Sequence, residues 1–221
     1  SVYLHINKNI LALMTTLLFF SCQSNNGSIS KDYDEYSILF LQGGATHQFA
    51  LIPMNFSKNG VLDYLVTGAW SKKASEYASK VAYVNIVSDS SSNNFTNVAD
   101  PKKWNISDDP DYFFYCANET VHGLELHNPI ESDSPVICDM SSTIASRPID
   151  INKYDLVFAG AQKNLGIAGL TILIIKNKLL SDCNKDLLPM FDYSAHAEEA
   201  SMLNLSLIHI SEPTRRTPIS Y

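Results

Sequence analysis

A few short stretches of this sequence carry side chains that could do chemistry together. In "FAGAQKNLG", residues 158–166, Lys163 stands among small residues between two apolar runs, "YDLVFAG" and "LTILIIK". An ammonium is expensive to bury unless it is paired or used. Lys163 therefore either reaches solvent at a turn or is held inside for a purpose. A lysine in a dry pocket has its charged form disfavoured, which frees the amine as a nucleophile toward a carbonyl. Asp139, in "VICDMSS", closes another apolar run. A carboxylate there could keep the pyridine nitrogen of pyridoxal phosphate protonated, the state in which that ring acts as an electron sink. Trp70, in "VTGAWS", offers a flat apolar face on which a ring can stack. The turn Gly43-Gly44-Ala45-Thr46 offers backbone N–H groups and a positive dipole end to a phosphate, if it opens a helix starting near Gln48. Singly these signals are weak: Gly43-Gly44 alone reads as a turn, Trp70 as core and Asp139 as a cap. A lysine and an aspartate on adjacent strand ends beside a phosphate cradle are more specific.

For those residues to meet, the elements carrying them must end at one edge. "YSILFLQGG" is an apolar run stopped by two glycines, which reads as a buried strand and a tight turn. "DYLVTG" reads as a second strand. The stretch after it places Ala74, Tyr77, Ala78 and Val81 at the spacing of an amphipathic helix. "AYVNIV", "YFFYCAN", "SPVICDMS", "DLVFAG" and "LTILIIK" are further short apolar runs, separated by polar turns and one long polar loop. Continuous rather than alternating apolar character predicts an α/β fold: a mostly parallel sheet with helices on both faces. Ligands of such folds bind outside the carboxyl ends of the strands. Those ends carry Ala45 and Thr46, Trp70, Asn118-Glu119-Thr120, Asp139, and Gln162-Lys163-Asn164.

Composition sets the outer limits. The chain has 221 residues, 45% hydrophobic and 18% charged, with a net charge of −7 and no basic run longer than two residues, Arg215-Arg216 among them. Nucleic acid is not an expected partner. The four cysteines, Cys22, Cys116, Cys138 and Cys183, are widely spaced and form no C-x-x-C pair. No metal site and no disulfide framework are expected, and a reducing compartment is the default. Six N-x-S/T sequons occur, as an Asn- and Ser-rich chain produces by chance, and they do not decide the compartment. Near the start, "NILALMTTLLFFSC" has the size of a signal-peptide core, and Cys22 at its end resembles a lipid-attachment position. It is short for a membrane-spanning helix, and no membrane association is expected unless that run is genuine. The chain opens on Ser1 rather than Met, so a fragment or mistranslated start is the expectation. From about Leu205, "LSLIHISEPTRRTPISY" changes composition abruptly and resembles a translated adapter or read-through tail.

The segments "LFLQGGATHQFALIPMNF", "DYLVTGAWS", "FFYCANETVHG", "VICDMSSTIASRPIDI" and "FAGAQKNLGIAGLTILII" resemble the phosphoserine aminotransferase family in order and spacing, from about Ile29 to Asn204. "CDMSS" together with "AGAQKN" is highly specific to it. The resemblance implies the large domain of a fold-type I pyridoxal-phosphate enzyme, cytoplasmic and homodimeric. Such an enzyme moves an amino group from glutamate to 3-phosphohydroxypyruvate, giving O-phosphoserine and 2-oxoglutarate in serine biosynthesis. By motif, it implies that Lys163 is the Schiff-base lysine and later the proton carrier, and that Asp139 partners the pyridine nitrogen. Trp70 becomes the stacking ring, and Thr120 the partner of the cofactor's phenolic oxygen region. Gln162 contacts the phosphate, and Ala45 and Thr46 occupy the cradle, with Thr46 replacing an arginine of some members.

The ends depart from the family. Residues 1–28 match nothing in it, residues 29–204 read as the large domain, and residues 205–221 as an artefactual tail. The family's "MYNTPP" segment should follow "HAEEASM", where this chain has "MLNLSLIHIS". The substrate-anchoring arginines and the small C-terminal domain are expected to be missing, which puts turnover by this chain in doubt. Two other readings are a cysteine desulfurase relative, against which the lack of a catalytic-cysteine loop argues, and an exported, non-catalytic binding module that kept the cofactor fold.

Overall fold

The computed structural model describes residues 35–58 and 60–203. The expectations for segments 1–28 and 205–221 fall outside them. Every apolar run read as a strand is one. β1 spans Tyr36–Gln42 and leads into helix α1, Ala45–Phe56. β2, Val61–Val66, leads into α2, Ala69–Ala78. Then come β3 (Tyr83–Asp89), β4 (Pro110–Cys116), the short pair β5 (Asn118–Glu119) and β6 (Leu124–Glu125), and β7 (Val136–Asp139). β8 (Leu156–Gly160), β9 (Leu170–Lys176), α3 (Asn177–Ser181) and α4 (Tyr193–Glu198) complete the order.

Seven strands form one sheet in the order β1-β9-β8-β7-β4-β2-β3. β8, β7, β4, β2 and β3 run parallel, while β9 opposes both β8 and β1. The mostly parallel sheet is as expected; the reversed β9 is new, since hydrophobic pattern carries no information on strand direction. Alternate strand residues feed two separate clusters, as a period of two requires. On one face Tyr64, Phe114, Phe158 and Leu173 meet Phe49 and Ile52 of α1, Ala74 and Ala78 of α2, and Tyr193 of α4. Tyr64 stacks on Phe114 with centroids 4.7 Å apart, and Phe49 stands edge-on to Phe114 and Phe158 at 6.2 Å. Burying one such side chain stabilises by roughly 1.5–3 kcal/mol. On the other face Leu65, Phe113, Tyr115 and Val157 meet Met140, Ile144 and Tyr154. The described helices all lie on the first face; the second is covered, among the described residues, by loops and 3₁₀ turns.

Two local readings need correction. α1 begins at Ala45 rather than near Gln48, because Gly44 in extended conformation is already its N-cap. In α2 the expected stripe is only half right. Ala74 and Ala78 are buried, but Tyr77 and Val81 are 38% and 44% exposed. The buried stripe is Ser71, Ala74, Ser75 and Ala78, small side chains that let the helix lie close to the sheet. No helix among the described residues is long and apolar enough to cross a membrane.

Candidate active site

At the carboxyl edge of the parallel strands lies a cleft of about 110 Å³, lined by Gly44, Ala45, Thr46, Phe49, Trp70, Asn118, Asp139, Ser141, Ser142, Gln162 and Lys163. A larger cleft, about 270 Å³, is lined by Phe40, Leu51, Met190, Phe191, His47 and His196 among others, and it gathers no lysine or carboxylate. Chemistry rather than size marks the smaller one.

The α1 end of the site is shaped by its glycines. Gly43 has φ +94°, and a Cβ there would meet His47 Nδ1 at 2.6 Å, so only glycine turns the chain here. Gly43 N donates to Gly169 O at 2.9 Å and Thr171 Oγ1 donates to Gly43 O at 3.0 Å, which ties the turn to β9. No side chain caps α1 and its first turn holds no acid, leaving the helix N-terminus suited to an anion. Across from it, a Cβ on Gly160 would lie 3.2 Å from Ala45 N and 2.7 Å from Gln162 Oε1. The absent side chain is what keeps the cradle open.

Asp139 ends β7 and is 8% exposed. Ser141 donates to its Oδ1 twice, from N at 2.8 Å and from Oγ at 2.6 Å. Ser141 Oγ in turn accepts from Gly160 N at 3.0 Å, joining the ends of β7 and β8. Burial pushes the Asp139 carboxyl above its ordinary range; the Ser141 bonds and the Lys163 ammonium pull it back, and the Glu119 carboxylate adds to the rise. The site thus holds an acid that a neighbouring positive ring nitrogen would favour in its ionised form.

Of the two courses open to Lys163, burial, which a Schiff-base role implies, is not the one taken. Lys163 is exposed, because it stands on the turn Ala161–Gly166 beyond the last ladder bond of β8. Asn164 Nδ2 fixes that turn by donating to Ser142 O and Ile144 O, each at 3.0 Å. The ammonium lies 5.4 Å from the Trp70 ring centroid and donates to Thr120 Oγ1 at 3.4 Å. Thr120 Oγ1 also accepts from Trp70 Nε1 at 3.2 Å. Ala45, Thr46, Trp70, Asp139, Gln162 and Lys163 therefore share one cleft, and Thr120 joins them through these bonds.

The sequence reading missed Glu119. It is fully buried and accepts from Trp70 N at 2.8 Å, Ser71 N at 2.7 Å and Ser71 Oγ at 2.6 Å. Gly68 makes room for it, since a Cβ there would lie 2.5 Å from Glu119 Cδ. The sequence places Glu119 at a strand end and gives it no role; only the fold shows it facing the start of α2.

The chain matches the aminotransferase class-V family over residues 28–199. It is 46% identical over 184 residues to a probable phosphoserine aminotransferase of Dictyostelium discoideum, covering 80% of this chain and 48% of that protein. It is 44% identical over 173 residues to a phosphoserine aminotransferase of Xylella fastidiosa, covering 77% and 48%. The chain thus spans about half the length of the curated relatives it matches. Its fold resembles the phosphoserine aminotransferase of Bacillus circulans subsp. alkalophilus, with a TM-score of 0.76 and 33% identity over 93% of this chain and 54% of that one. It also resembles the pyridoxal-phosphate-bound phosphoserine aminotransferase of Trichomonas vaginalis, with a TM-score of 0.74 and 34% identity over 92% and 58%. A cysteine desulfurase of Thermococcus onnurineus, at 12% identity, shares the fold alone. With the family match running through every described strand that builds this cleft, the chain belongs to the class-V aminotransferases.

Proposed function

We propose that this chain carries the cofactor-binding portion of a phosphoserine aminotransferase, with residues 29–204 as its large domain. The observation that carries the reading is the meeting of Asp139, Lys163, Trp70 and the uncapped start of α1 in one cleft. The donor set fits pyridoxal phosphate: an N-terminus for its phosphate, a carboxylate for its ring nitrogen, an amine for its aldehyde and an indole face for its ring. That cofactor, when bound, supplies an electron sink for charge developing at the carbon that bears the amino group.

The protein residues divide the remaining work. The N–H groups of Ala45 and Thr46, with Gln162 beside them, would hold the phosphate at the start of α1. Trp70 supports the ring from one side, and Thr120 fixes both the indole and the lysine. Asp139 would favour a positive charge on the ring nitrogen. Lys163 Nζ would hold the cofactor by condensing with its aldehyde, releasing water, and once freed would carry the proton to and from the reacting substrate carbon. The substrate pair of this reading is glutamate and 3-phosphohydroxypyruvate, giving O-phosphoserine and 2-oxoglutarate in serine biosynthesis. The whole enzyme would be a cytoplasmic homodimer. Relatives named as enzymes favour this over a non-catalytic binding module.

The test is to titrate the chain with pyridoxal phosphate, reduce with borohydride and map the covalent label by mass spectrometry. A single label on the peptide holding Lys163, lost in Lys163→Ala, is expected. No label, or one spread over surface lysines, would overturn the reading.

A further inference from the structure

Two helices start at the same sheet edge, and their N-termini are treated oppositely. That of α1 has no side-chain cap and no acid in its first turn. At α2 the successive N–H groups of Ala69, Trp70 and Ser71 donate to His122 Nδ1 at 3.3 Å, Glu119 Oε2 at 2.8 Å and Glu119 Oε1 at 2.7 Å. First-turn N–H groups have no partner within their own helix; these three all find one in the single turn Glu119–His122. Glu119 is fully buried, and no ion pair among the described residues reaches it. Its charge is balanced instead by the α2 dipole and by these hydrogen bonds.

Trp70 is the second residue of α2, so whatever holds that first turn also sets where the indole lies. We propose that Glu119 is a positioning residue: its carboxylate clamps the start of α2, fixes the Trp70 indole at the cleft, and occupies that N-terminus so that a ligand's phosphate is left to α1. The second and third parts rest on the reading given above. The first does not, because it concerns the chain without ligand.

Glu119→Gln separates this role from simple packing. Glutamine keeps an oxygen for Ser71 but turns an N–H toward the Trp70 N–H, so the bond lost is the one that holds Trp70. The chain has two tryptophans, Trp70 and Trp104, so in a Trp104→Phe background the emission reports Trp70 alone. In the unliganded chain, Glu119→Gln should shift the Trp70 emission and weaken its near-UV dichroism while the far-UV spectrum stays unchanged. Gly68→Ala, which pushes a Cβ against the same carboxylate, should give the same change. An unaltered Trp70 signature in whichever variant folds would overturn the clamp. In the unmodified chain the Trp70 and Ser71 amides should exchange as slowly as those in the middle of α2; fast exchange there overturns it without any variant.

Quenching of Trp70 by added pyridoxal phosphate then tests the rest. Glu119→Gln should bind about tenfold more weakly, the size of effect one lost hydrogen bond to a charged group gives. An unchanged affinity would overturn the link from Glu119 to the site. No quenching in the unmodified chain would instead overturn the proposed function and leave the ligand-free result standing.

Discussion

The indole Nε1 of Trp70 donates to Thr120 Oγ1 across 3.2 Å, tying the first turn of α2 to the turn that follows β5. The same oxygen receives the Lys163 ammonium at 3.4 Å, so one hydroxyl holds two groups of the cleft in register. Thr120→Val keeps the shape and removes the acceptor. Because Thr120 is exposed, the fold should lose less than about 1 kcal/mol, while affinity for pyridoxal phosphate should fall about tenfold. Thr120→Ser should restore it, and titration by tryptophan quenching reads both.

Asp139 gives a prediction in pH. A carboxyl raised above its unfolded value by burial holds its proton more tightly in the folded chain. Its contribution is present below the ordinary carboxylate range, near pH 4, and is lost as pH rises through the raised value. Asp139→Asn carries no such proton. The variant should therefore gain on the native chain in melting temperature as pH climbs from about 4 toward neutrality. Pyridoxal phosphate should narrow that gap, since a positive ring nitrogen favours the carboxylate. Parallel melts of the two proteins across pH, with and without the cofactor, check the sign.

Gly160→Ala tests the cradle separately from the fold. The added Cβ meets Gln162 Oε1 at 2.7 Å, which can swing aside, and Ala45 N at 3.2 Å, which cannot. Stability should fall by about 1–3 kcal/mol. Binding of inorganic phosphate and of pyridoxal phosphate should fall together, whereas pyridoxal without its phosphate should be little affected.

Cys116, Cys138 and Cys183 are buried and unpaired. Burial pushes the Cys183 thiol up to about 12 and raises the Cys116 and Cys138 thiols as well. Since the thiolate is the reactive form, none of the three should take iodoacetamide at neutral pH until the chain unfolds. Mass spectrometry of the three peptides before and after denaturant gives the answer.

What the sequence made legible followed from what local pattern encodes. Apolar runs such as "YSILFL" and "LTILII" mark strands, and chemistry-bearing residues follow them because strand ends face one edge. The cleft residues Trp70, Asp139 and Lys163 were found this way. Direction of β9 was not legible, since an antiparallel strand buried on both faces carries the same apolar run as a parallel one. The exposure of Lys163 was not legible either: its neighbours left both a solvent-facing turn and an interior place open, and only the turn that lifts it beyond β8 decides between them. Glu119 was missed because its partners, the amides of Trp70 and Ser71, lie 49 and 48 residues away in the chain.

The pairing of β1 with β9 has a consequence for synthesis. Tyr36 pairs with Lys176 and Gln42 with Leu170, so among the described residues the earliest strand of the sheet takes its partner from the last. At ribosomal rates of about 5–20 residues per second, β1 must wait on the order of ten seconds before that partner leaves the ribosome. Through that interval its "ILFL" run is an open edge of the kind that recruits other chains. β1 completes the sheet only at the end, and the nascent chain is the state in which this protein most needs shielding.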